Sequence, residues 1–399
     1  MIRKLRIRNY LSLKEVDLHL GSRNLLVGRN KSGKSNLIDC LRFLTTMSIG
    51  GLKKAFMDRN GFSEVAWKGS GDSRIFLGLS YEMPEHLSPT KKQYEYEISI
   101  LGSQTGLVVV ETEMLDVVIG NDRKTLINLK NGEGKLLHID GQPAIVPPID
   151  PSTSALEFNV PNWEATTFKT LISLSRFYRL LPQIMKQPNP VVRQHFLNEN
   201  GDNLSSWLMT IQSTYPDDFR RIRQVAIDVL PGLEEILTPP TQFGTTYVTT
   251  RERGLQRPIT IWRMSDGELV FLALLSLIFA PDELGAPLYC IEEPEHYLHP
   301  RLIDVLVEIL IQRQKELAPR IAQIVATTHS MWLLNHFGLD ELIAVVRKDG
   351  ATYFQRPGSK EYLKKILESG DLDVGDLLYS GALEEPNEDD RTDRGIPQR

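Results

Sequence analysis

Four positions separate Gly28 from the triplet Gly33-Lys34-Ser35, which is the spacing of a loop that wraps a polyphosphate. Such a turn aims several backbone N–H groups, and the positive end of a helix, at one point in space. In this reading Asn30, Lys31, Ser32, Gly33 and Asn36 line the loop with Gly28. Lys34 reaches the β- and γ-phosphates of a nucleotide, and the Ser35 hydroxyl is a ligand for Mg²⁺. Glu292 and Glu293 form a second chemical pair, because they close the apolar run of residues 288–291. A buried strand ending in two carboxylates presents them at the edge where open α/β sheets bind ligands. Glu292 suits the Mg²⁺ shell, and Glu293 suits the orientation or deprotonation of a water.

Two more stretches could complete such a site. Ser265 and Glu268 have the Ser-x-x-Glu spacing of a capping box and open an apolar helix. Free N–H groups and the helix dipole favour an anion at that start. His329 stands just past the strand-like stretch 323–328. A lone histidine there is ordinarily structural, so its meaning depends on the other three stretches.

These residues need a framework that holds them. Residues 24–27 read as a buried strand feeding the glycine loop, and residues 36–44 carry apolar side chains at helical spacing. From Ser265 onward helix and strand alternate: helix 266–279, strand 288–291, helix 301–315, strand 321–326, a short helix from Trp332, and strand 342–347. That alternation predicts a parallel sheet that includes strand 24–27, although 231 residues (265 − 34) separate the two parts.

Between them the pattern changes twice. Residues 75–81, 94–101, 107–110, 126–129 and 136–139 read as short β runs, with Asn131-Gly132 and Asp140-Gly141 as hairpin signals. The proline-rich stretch 143–151 marks a boundary, and helices are expected over 168–181, 204–212 and 217–230. Strand-like runs at 245–250 and 258–262 then lead back to the core. The expected organisation is residues 1–60 and 241–383 for the two parts of the core, 61–150 for an antiparallel β lobe and 151–240 for a helical insertion. Residues 384–399 are acid-rich and read as a disordered tail. In the first strand, 2–7, Lys4, Arg6 and Arg8 share a face. That stripe could meet a nucleic-acid backbone or simply protect a strand near a sheet edge.

Composition narrows the class. The 399 residues are 41% hydrophobic and 24% charged, with a net charge of −5, so the whole molecule is no polycation and any nucleic-acid contact must be local. The longest apolar run, 269–280, is too short to span a bilayer and stops at Pro281. The N-terminus lacks the apolar core of a signal peptide. Cys40 and Cys290 read as small core residues of a reducing, cytoplasmic protein.

With all four stretches in order, the chain resembles the ABC ATPases of the RecF/SMC group. It is most similar to stand-alone bacterial ATPases of the AAA-domain type that share the head of overcoming-lysogenization-defect proteins without the TOPRIM nuclease domain. The resemblance runs over nearly the whole chain, and the phosphate loop and Glu-Glu-Pro-Glu…Leu-His-Pro (292–300) are its most specific parts. It implies an α/β ABC ATPase head: a parallel-sheet phosphate-loop core, an antiparallel β lobe and an inserted helical subdomain.

It also implies roles. Ser265, Gly267 and Glu268 match the signature stretch, which grips the γ-phosphate of ATP held by a second protomer. Glu293 and Lys34 become catalytic, and His329 becomes the switch histidine on the γ-phosphate. The family's loop after the catalytic acid accounts for His296 and His299, whose spacing otherwise suits zinc. Lys31 stands where many relatives have glycine, and Asp266 replaces the first signature glycine. No lid-loop glutamine is assignable, and Tyr10 is the one candidate for stacking on adenine.

The implied function is an ATP-hydrolysing switch, a homodimer through an ATP sandwich with higher oligomers left open. It would regulate an anti-phage or toxin module that acts through a separate effector, a TOPRIM-like or other nuclease. The alternative is a DNA repair or recombination ATPase that binds DNA. An intrinsic nuclease would rest on the carboxylates at 371–376, with too little chain around them.

Overall fold

The computed structural model describes residues 1–69, 71–84, 88, 90–102, 106–317 and 322–359. The tail at 384–399 and the carboxylates at 371–376 lie outside the described residues. The chain forms two compact units. The first comprises Met1–Ser175, Gln323–Met331 and the described residues from Phe337; the second comprises Arg176–Ala322 and Trp332–His336.

An eight-stranded antiparallel sheet dominates the first unit: β1 (Ile2–Tyr10), β2 (Leu13–His19), β4 (Arg74–Glu82), β5 (Lys92–Gly102), β6 (Val108–Ile119), β7 (Asp122–Lys130), β8 (Glu133–Leu137) and β9 (Pro143–Ile145). Their order in space is β2-β1-β4-β5-β6-β7-β8-β9. The lobe expected from residue 61 therefore also takes in β1 and β2. Alternation drives it. In β5 Tyr94, Tyr96, Ile98 and Ile100 are buried while Glu95 and Glu97 between them are not. Phe168 of helix Glu164–Ser173 covers that face, with its ring centroid 5.3 Å from Tyr94 and 5.4 Å from Tyr96. The hairpin signal holds, since Asn131 and Gly132 both take positive φ between β7 and β8.

The basic stripe of β1 is neutralised within the same sheet. Lys4 pairs with Asp17 at 2.9 Å, Arg6 with Glu97 at 2.5 Å and Arg8 with Glu15 at 3.5 Å. Charge protection is therefore the reading of this face that the structure favours.

The same unit holds three parallel strands. β3 (Arg23–Val27) pairs in parallel with Gln323–Thr328 on one side and Leu342–Lys348 on the other, and Ala351–Gln355 runs antiparallel along the last. The phosphate-loop strand thus lies between two strands from the far end of the sequence, as the alternation predicts. Helix α1 (Lys34–Gly50) follows the loop and buries Leu37, Ile38, Leu41 and Leu44, a helical stripe. Asp39 on α1 accepts from the Arg59 guanidinium at 2.9 Å and from the Tyr10 hydroxyl at 2.7 Å, which ties the helix to β1.

The second unit is built around helices. Leu204–Thr214, Pro216–Val229, Asp266–Ile278 and Pro300–Leu317 are helical, and Arg176–Tyr178 pairs in parallel with Leu288–Glu292. One apolar cluster runs through it, including Trp207, Phe219, Ile222, Phe271 and Leu275. Trp207 Nε1 donates to Ser276 Oγ at 2.9 Å, which satisfies the polar atom of a buried indole.

The helix expected over 168–181 is corrected. It stops at Ser173, and Arg176–Tyr178 is a strand. Phe177 and Tyr178 are β-favouring residues, both buried, that gain ladder bonds to Leu288–Glu292; a helix could not provide these.

Candidate functional site

The first unit holds the glycine loop. β3 ends at Val27, and Gly28 follows at φ 157°, a backbone conformation that residues with side chains rarely adopt. Space demands glycine there as well: a Cβ would lie 2.2 Å from the Val345 carbonyl oxygen. Gly33 needs glycine twice over. Its φ is 111°, and a Cβ would lie 2.1 Å from Thr352 Oγ1. Gly33 caps α1, and no side chain occupies that N-terminus as a cap, so the first N–H groups face the loop.

Inside the loop the buried Lys34 ammonium donates to the carbonyls of Gly28 at 2.7 Å and Arg29 at 3.1 Å. Ser32 Oγ is buried without a hydrogen-bond partner. Arg29, Asn30, Lys31 and Ser35 are exposed, and Asn36 is half-buried. Lys31 takes a left-handed φ of 65°, a conformation that glycine adopts freely and that costs a lysine energy.

A network that sequence reading missed holds the loop. Asn36 Nδ2 donates to Ser12 Oγ at 2.6 Å, Ser12 Oγ meets Thr352 Oγ1 at 2.6 Å, and Thr352 Oγ1 donates to the Ser32 carbonyl at 2.9 Å. Ser12 and Thr352 are 340 residues apart, so no local pattern joins them. His329 lies close by in register. Thr328 is the partner of Val27 in the parallel ladder, so His329 leaves its strand at the level where Gly28 leaves β3. It is exposed.

Beside the start of α1 lies a cleft of about 520 Å³, lined by Ser12, Asn36, Trp67, Lys68, Arg347 and Asp349 among others. The Lys14 ammonium sits 5.2 Å from the Trp67 ring centroid. Tyr10 is not a stacking residue. It is fully buried, with its hydroxyl on Asp39 and its ring edge-on to Phe43 at 5.6 Å. Burial, with the Asp39 charge beside it, holds the Tyr10 phenol well above its usual range. Trp67 is the half-buried aromatic that lines this cleft, and nothing in its flanking sequence marks it.

The second unit holds the remaining candidates. Ser265 and Glu268 make the capping box in full. Glu268 N–H donates to Ser265 Oγ at 3.2 Å, and Ser265 N–H donates to the Glu268 carboxylate at 2.8 Å. Gly267 is packed against the turn after the paired acids, where a Cβ would lie 2.9 Å from the Tyr297 carbonyl oxygen. Glu292 ends its strand half-buried. Glu293 follows at φ 48°, a left-handed conformation uncommon for a glutamate. Its carboxylate lies 3.4 Å from His296 Nδ1. His299 Nδ1 accepts from Arg301 N–H at 3.3 Å, at the head of helix Pro300–Leu317. Both histidines thus have local roles other than zinc ligation. The structure brings Gly28–Asn36 together with His329, and Ser265–Glu268 together with the turn that follows Glu293.

Residues 161–335 match a family model described as an AAA domain, putative AbiEii toxin, type IV toxin–antitoxin system. Residues 1–135 match one described as an AAA ATPase domain. Among solved structures, an Smc head bound to the C-terminal winged-helix domain of ScpA aligns over 89% of this chain and 97% of its own, at 16% identity and a TM-score of 0.57. The Smc head domain of Pyrococcus furiosus with an extended coiled coil, bound to the C-terminal domain of ScpA, aligns over 92% and 98% at 14% identity and a TM-score of 0.53. The chain has the fold of an ABC-type ATPase head. No curated protein matches in sequence. The head carries no helix among its described residues long and apolar enough to cross a membrane.

Proposed function

We propose that this head is an ATP-hydrolysing switch, and that two copies close around two ATP molecules. The observation that carries the reading is the glycine loop. Two positions are barred to any side chain, a buried lysine rests on loop carbonyls, and a buried serine hydroxyl lacks a partner. Those features fit a polyphosphate, which would take over the Lys34 ammonium and offer an acceptor to Ser32. Ser35 and Glu292 would hold Mg²⁺, whose contribution when bound is to neutralise charge on the phosphates. Glu292 has one methylene more than the usual aspartate, which a water between carboxylate and metal accommodates.

Glu293 is the residue we assign to orienting and deprotonating water, and His329 the one that senses the γ-phosphate. The base and ribose are assigned to the cleft beside α1, where Trp67 offers an aromatic face and Asp349 and Asn36 offer polar partners. Ser265, Gly267 and Glu268 are assigned to the partner's nucleotide. The upstream loop encloses one side of a phosphate, and the helix start at Ser265 supplies anion-binding N–H groups for the other. A self-complementary interface of that kind suits two-fold symmetry.

One matched family is described as a putative toxin of a toxin–antitoxin system, which favours a bacterial defence or toxin module controlled by this switch. The Smc heads are seen with a separate polypeptide, ScpA, and by analogy this head would act on a separate effector. The ion-paired face of β1 weighs against a DNA-binding role at that face. Purified protein should hydrolyse ATP with Mg²⁺, and Lys34→Ala should lose turnover by at least about a hundredfold. Wild-type turnover in that variant would overturn the assignment of the loop. Strong stimulation by duplex ends would shift the reading to DNA repair, and co-purification with a neighbouring gene product would support the effector.

A further inference from the structure

Lys186 and Asp266 form an ion pair at 2.6 Å that joins two elements 80 residues apart in sequence. Asp266 is the first residue of the helix that starts after Ser265, between the capping serine and Gly267. Lys186 closes the short helix Pro182–Met185 as its C-terminal cap. Both side chains are partly buried, at 25% and 37% exposure, so the pair is screened less than an open surface pair.

The charge count at this helix start creates a conflict. The first turn carries two acids, Asp266 and Glu268. Acids there satisfy the helix dipole, but they also repel a second anion. The Glu268 carboxylate is directed back onto Ser265 N–H. The Asp266 carboxylate is instead met by the Lys186 ammonium.

We infer that Lys186 is a positioning residue for the trans nucleotide. It neutralises and holds aside the Asp266 carboxylate, so that a helix start bearing two acids can still receive a terminal phosphate. The inference rests on the composite ATP site proposed above. It adds a specific requirement: the cation matters because of Asp266, and through it.

The test uses Glu293→Gln protein, full length, with Mg²⁺ and ATP, followed by light scattering. Adding Lys186→Ala should weaken ATP-dependent association by about tenfold or more, because an uncompensated carboxylate then faces the phosphate. Adding Asp266→Gly to that protein should restore association, and Lys186→Arg should retain it. Thermal melts of each protein identify any variant that fails to fold, and the arginine variant carries the test in that case. If Lys186→Ala leaves association unchanged, or Asp266→Gly fails to restore it, the inference is overturned while the composite site stands. If Glu293→Gln itself shows no ATP-dependent association, the composite site fails and the inference falls with it.

Discussion

Lys31 and Glu293 in the candidate site hold backbone conformations that their side chains disfavour. Lys31 at φ 65° and Glu293 at φ 48° both lie in the left-handed region, at a cost of roughly 1–2 kcal/mol each. Strain of this kind persists where surrounding structure dictates it, and Glu293 carries proposed chemistry. For Lys31 the consequence is measurable. Lys31→Gly should stabilise the protein by about 1 kcal/mol in chemical denaturation, because glycine adopts that φ freely and the carbonyl that accepts from Arg347 at 3.4 Å is retained. Unchanged or lower stability would mean that the lysine side chain makes a contact worth as much as the strain. At this scale the sequence was informative where chemistry depends on residue type and short spacing. Gly28, Gly33, Lys34, Ser265 and Glu268 declare themselves that way. It was silent on Ser12 and Thr352, whose hydroxyls meet at 2.6 Å only after the chain has folded, and on the positive φ of Glu293.

At the level of elements, regular alternation was legible and buried polar groups misled. The sequence pattern marks β6 only over residues 107–110, yet it spans Val108–Ile119. Glu113 and Asp116 break its apolar pattern although both are buried. Glu113 is accommodated because Tyr96 Oη, Ser154 Oγ and Ala155 N–H donate to its carboxylate at 2.8, 2.6 and 2.7 Å. Burial still pushes the Glu113 carboxyl above its ordinary value. The strand Arg176–Tyr178 was lost inside a helical pattern for a different reason: its ladder partner lies more than a hundred residues onward. The turn-bearing segment around Trp67 belongs to the same class, since its cleft is assembled from β1–β2, α1 and residues 347–350. If that cleft holds the nucleoside, Trp67→Ala should weaken ATP binding by about tenfold through lost stacking, with turnover at saturating ATP preserved. Titration of ATP against both proteins measures this, and an unchanged affinity would place the base elsewhere.

For the molecule as a whole, the alternation of helix and strand after Ser265 correctly returned the chain to β3, which is flanked by Gln323–Thr328 and Leu342–Lys348. That closure explains why a phosphate loop near residue 30 and a histidine at 329 can belong to one site. The use of the helix start at Ser265 is a question about two copies, and one chain's sequence carries it only through resemblance. The central claim is that ATP closes two heads around a composite site. Light scattering with Mg²⁺ and ATP on Glu293→Gln, with and without Ser265→Arg, tests it most directly. Glu293→Gln should retain ATP, hydrolyse it slowly and double in mass, because water activation fails while phosphate contacts persist. Ser265→Arg in the same protein should abolish that doubling by placing bulk where the serine meets the partner's phosphate. An unchanged mass for Glu293→Gln with ATP, or a doubling that survives Ser265→Arg, would contradict the composite site.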